Sequence, residues 1–96
     1  MGYDVLMRVA RRFVLSGRVQ GVGFRYFTLD AARREGLHGY VTNRDDGSVE
    51  AVAEGDAESL ERFERALRRG PSRSRVEHVT IDEVEPAMAG TGFEIK

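Results

Sequence analysis

The chain has 96 residues, of which 41% are hydrophobic and 32% charged, with no cysteine and a formal net charge of −1. That length bounds it to one domain with one core, and that composition excludes a disordered chain, a disulfide framework, a thiolate nucleophile and a thiolate metal site. The near-neutral total argues against bulk nucleic-acid binding, although residues 1–44 hold eight arginines against three acids, +5, and the remainder is −6.

Residues 1–10 contain an early acid, Asp4, and no sustained apolar run, so they are expected to be neither a signal peptide nor a membrane span. They read as a tail or a strand extension ahead of a domain covering 11–96. From Arg12 to Gly17 the run is short and rich in aromatic and β-branched residues, which predicts a strand with Phe13 and Leu15 on one face. A glycine loop follows, and after it Phe24, Phe27, Thr28 and Ala31 recur at helical spacing until Gly36.

His38 to Asn43 predicts a second strand, Asp46-Gly47 a turn, and Ser48 to Glu54 a third strand with Val49, Ala51 and Ala53 alternating inward. Asp56 is a helix N-cap, Leu60, Phe63 and Leu67 form an apolar stripe, and Gly70-Pro71 ends the helix. Glu58 with Arg62, Glu61 with Arg65 and Glu64 with Arg68 stand four apart in the favourable order and are expected to pair on a solvated face. Val76 to Val84 predicts a fourth strand, and Phe93 to Lys96 a short fifth piece after a turn at 90–92. The order predicts an α+β, ferredoxin-like split β-α-β sandwich (βαββαβ), with two helices on one face of an antiparallel sheet and a short extra C-terminal strand.

In that topology the first two strands run parallel with another between them, so the glycine loop and Asn43 share one edge. The loop, Gly17-Arg18-Val19-Gln20-Gly21-Val22-Gly23-Phe24-Arg25, holds no acid. Glycines at 21 and 23 permit positive φ, and the following helix offers its positive end to an anion, with phosphate the obvious guest. Arg25 would add a fixed fork for two phosphate oxygens. Taken alone, the loop reads equally as a tight turn with Arg25 on the surface, and Asn43 as a turn residue.

The loop from Gly17 to Arg25, together with Gly39-Tyr-Val-Thr-Asn43 and the following Asp46-Gly-Ser-Val-Glu50, resembles the two signatures of the acylphosphatases. The Gly70-Pro71 break and the ending Phe93-Glu-Ile95 extend the resemblance from about Arg11 to the C-terminus. It implies hydrolysis of acyl phosphates to a carboxylate and inorganic phosphate. Arg25 takes the place of the phosphate-binding arginine and Asn43 that of the water-orienting asparagine, with backbone amides of Gln20, Gly21, Val22, Gly23 and Phe24 as the cradle. Thr42 departs from the family, which often has arginine or another polar residue there, and a regular strand would point it away from Asn43.

No cofactor and no metal is expected, since His38 and His78 fall away from the proposed site and no convincing ligand set stands out. The expected partner is a small acyl phosphate, with no nucleic acid and no membrane, acting on a cytoplasmic monomer. Met1 at the start and an end just after the last strand favour a free-standing enzyme over a domain of a larger maturation factor. The alternative is a non-catalytic anion-binding or regulatory domain of the same fold.

Overall fold

In a computed structural model of the chain, residues 8–87 and 92–96 are described. The elements are β1 (Arg8–Arg18), α1 (Phe24–Arg34), β2 (His38–Asn43), β3 (Val49–Asp56), α2 (Ala57–Arg69), β4 (Arg75–Val84) and β5 (Phe93–Ile95). They form one sheet in the order β4-β1-β3-β2-β5. β3 is antiparallel to both β1 and β2, β4 is antiparallel to β1, and β5 joins β2 in parallel. This is the ferredoxin-like α+β fold, with a mixed rather than wholly antiparallel sheet because of β5.

Alternation along the strands decides which face is covered. Phe13 and Leu15 on β1, Val41 on β2 and Val49 and Ala51 on β3 are fully buried, and they pack with Phe24 of α1 and Leu60, Phe63 and Leu67 of α2. Phe63 meets Phe13 edge-on at 5.4 Å and Phe93 at 6.0 Å, so one ring of α2 joins the middle of the sheet to β5.

Several local signals act as the sequence leads one to expect. Gly36, at φ 68°, closes α1: its amide donates to Arg33 O at 3.1 Å and the Leu37 amide to Ala32 O at 2.9 Å, the paired bonds of a Schellman cap. Asp56 caps α2 by accepting from the Ser59 amide at 2.8 Å.

Other expectations need correction. β1 runs from Arg8, four residues before the run at Arg12, so residues 8–10 fall to the strand-extension reading, with the ladder to β3 continuing to Arg8 opposite Asp56. Only one of the three expected helix pairs forms among the described residues, Arg68 with Glu64 at 2.9 Å. Arg62 turns instead to Glu35 at the C-terminal end of α1, at 2.8 Å. Residues 1–7 and most of the expected turn at 90–92 lie outside the described residues.

The register sets up the site. Val49 of β3 is paired with Leu15 on one side and with Asn43 on the other, so the end of β1 and the end of β2 lie level on the same edge of the sheet.

Candidate active site

Val19 is buried after β1 and anchors a loop that turns at Gly21, φ 75°, and Gly23, φ 78°. Both angles lie in the left-handed region that strains any residue with a Cβ. A Cβ at either glycine would meet nothing within 4 Å, so backbone angle rather than crowding selects glycine, and the space over the loop is open.

Gly23 is the residue before α1, and the first helical bond runs from the Phe27 amide to Gly23 O at 3.0 Å. The amides of Phe24, Arg25 and Tyr26 therefore precede the first amide that donates within the helix, no side chain caps them, and the first turn holds no acid. Phe24 is buried, and Thr28 Oγ1 donates to Phe24 O at 2.8 Å, which stiffens this turn from inside. Arg25 is half-buried and has no carboxylate partner among the described residues. The result is an open helix N-terminus with a permanent positive charge beside it, which suits an anion.

Asn43 faces the same side. Val41, two residues earlier, points into the helix-covered core, so alternation carries Asn43 to that side at the strand end and Thr42 to the other. The Asn43 Oδ1 atom is buried and has no hydrogen-bond partner among the described residues. A buried acceptor left unpaired in a fold costs about 1–3 kcal/mol, which makes Asn43 Oδ1 a candidate acceptor at this edge.

The hairpin after Asn43 is self-contained. Asp46 accepts from the Ser48 amide at 2.9 Å and from the Ser48 hydroxyl, and these bonds hold its carboxyl below the usual carboxylate range. Asp46 is thus committed to the turn. Between loop and hairpin runs the Gln20 side chain, whose Nε2 donates to Arg44 O at 2.8 Å and Ser48 O at 2.9 Å. The sequence places Gln20 in the cradle through its backbone; its side-chain bridge was not legible there, since nothing local signals a bond across 24 residues.

The residues read from sequence are brought to one edge, and the histidines are not. His38 begins β2 at the far end and its Nδ1 accepts from the Gly92 amide at 2.8 Å. His78 is exposed on β4 opposite Ser16. A cavity of about 700 Å³ also lies by His38, Tyr40, Phe93 and Lys96, away from Asn43. Cavity size would point there, but several of its polar groups are engaged: Lys96 lies over the Tyr40 ring at 4.3 Å and Glu54 binds Arg8 at 2.9 Å. Among the described residues no three His, Asp or Glu side chains cluster closely enough to hold a metal ion, and no helix is long and apolar enough to cross a membrane.

The sequence model of one family, described as Acylphosphatase, matches residues 11–95. A protein named acylphosphatase from Rhizorhabdus wittichii is 44% identical over 95 residues, covering 99% of this chain and 95% of that protein. The crystal structure of an acylphosphatase from Bacillus subtilis superposes with a TM-score of 0.88 at 40% identity, covering 92% of this chain and 98% of that one. The structure of an acylphosphatase from Coxiella burnetii gives 0.92 at 29% identity with full coverage of both chains.

Proposed function

This chain belongs to the acylphosphatase family, and from that premise we propose how its own residues carry the activity. It hydrolyses the carboxyl-phosphate bond of acyl phosphates, giving a carboxylate and inorganic phosphate. In the proposed mechanism the amides from Gln20 to Phe24 and the Arg25 guanidinium hold the phosphoryl oxygens. The open first turn of α1 and the unpartnered charge of Arg25 support this assignment.

The observation that carries the reading is the buried, unpaired Asn43 Oδ1 level with the loop. It accepts a hydrogen bond from a water and aims that water's oxygen at phosphorus, in line with the leaving carboxylate. The new P–O bond forms as the P–O bond to the acyl group breaks. The bridging oxygen leaves with its electron pair as carboxylate, and the water's proton passes to a phosphoryl oxygen. A mixed anhydride already has a good leaving group, so positioning and charge stabilisation suffice without a protein base.

Family membership supports a free small acyl phosphate as the substrate, and the proposed reading is of a cytoplasmic monomer that engages neither nucleic acid nor membrane. Family membership and the named relatives favour this hydrolase over a non-catalytic anion-binding domain. Benzoyl phosphate hydrolysis, followed optically with inorganic phosphate as competitor, tests the roles. The Asn43→Ala variant should lose turnover by about a hundredfold while phosphate still competes nearly as well. Wild-type turnover in Asn43→Ala would remove Asn43 from the mechanism.

A further inference from the structure

We infer that the side chain of Gln20 is a positioning residue that fixes the distance between the phosphate cradle and the Asn43 amide. This rests on the site proposed above and adds a part to it. A primary amide has two N–H donors, and Gln20 Nε2 spends them on Arg44 O at 2.8 Å and Ser48 O at 2.9 Å. The Arg44 amide also donates to Ser48 O at 2.9 Å, and Ser48 is held by Asp46, so the clamp grips a hairpin end that is already rigid.

Its place in the chain gives it leverage. Gln20 immediately precedes Gly21, the first positive-φ residue of the loop, and Arg44 immediately follows Asn43. The loop turns at two positive-φ glycines, and the clamp ties it by hydrogen bonds to the edge that carries Asn43. In-line attack needs water and phosphorus set to a fraction of an ångström, and a displacement of about 1 Å costs on the order of a hundredfold in rate.

Gln20→Met keeps the length and removes both donors. Turnover of benzoyl phosphate should fall by about tenfold to a hundredfold, while inhibition by inorganic phosphate changes by less than about threefold. Gln20→Asn retains the amide but is one methylene too short to span both carbonyls, and it should show a smaller loss of the same kind. In an Asn43→Ala background, Gln20→Met should cost nothing further, because the geometry it protects is already gone. Thermal unfolding of each variant separates misfolding from mispositioning. Unchanged turnover in both Gln20 variants, a parallel loss of phosphate affinity, or full multiplication with Asn43→Ala overturns the inference. Wild-type turnover in Asn43→Ala would instead overturn the site on which it rests.

Discussion

Helix α2 begins with Asp56, whose carboxylate takes the Ser59 amide at 2.8 Å, and carries Glu58 in its first turn; helix α1 begins with Gly23, with no side-chain cap and no acid. The two helices pack on the same face of one sheet, so the fold does not demand the difference. α2 satisfies its positive end from within and is finished as structure. α1 has no side-chain cap on its first amides and carries Arg25 beside them, the arrangement on which the proposed site rests. A missing cap, which in isolation looks like a weakness, leaves a helix end able to take the anion of the proposed site.

Substitutions can break that contrast. Arg25→Ala removes the charge from the open end and should lower benzoyl phosphate turnover by about a hundredfold to a thousandfold, the scale for losing one group that stabilises transition-state charge. Retained turnover would mean that the amides alone suffice. Tyr26→Glu would give α1 the acid that α2 already has, at a side chain 66% exposed and so with no core contact at stake. Its carboxylate should stabilise the helix by about 0.3–1 kcal/mol and weaken inhibition by phosphate, a trade visible as a higher Tm with a higher inhibition constant.

Asp56→Ala should do the reverse at α2, costing about 1 kcal/mol of stability with kcat unchanged. The Ser59 amide bond holds the Asp56 carboxyl below its ordinary value of 3.8, so its stabilising contribution is present above that pH and is lost as pH falls through the lowered value. The unfolding midpoint of Asp56→Ala should therefore converge on wild type in strong acid. Last, a chelator should leave the rate of both ends' variants and of wild type unaltered. A loss of rate on chelation would place a metal at the open end.

Much of this was legible in the chain. The period of two in Val49, Ala51 and Ala53, the Asp56 cap, the glycine closing α1 and the stripe of Leu60, Phe63 and Leu67 are local signals, and each maps to its element. Arg8, Arg11 and Arg12 interrupt the apolar pattern of β1 and leave tail and strand extension equally open in the sequence, and only the partner strand shows that the ladder continues past them. Arg62 was assigned to Glu58 by helix spacing, yet Glu35, 27 residues away, takes it.

The sequence by itself named the candidate residues of the proposed site: glycines where φ must be positive, a fixed cation in the first helical turn, and an amide at a strand end. Those depend on backbone angle and side-chain chemistry, which are properties of single residues. The tertiary structure alone decided that Leu15 and Asn43 share Val49 as a neighbour, that Asn43 Oδ1 is left unpaired, and that Gln20 bridges loop to hairpin. Register and burial arise from packing residues far apart in the chain, and no local pattern carries them.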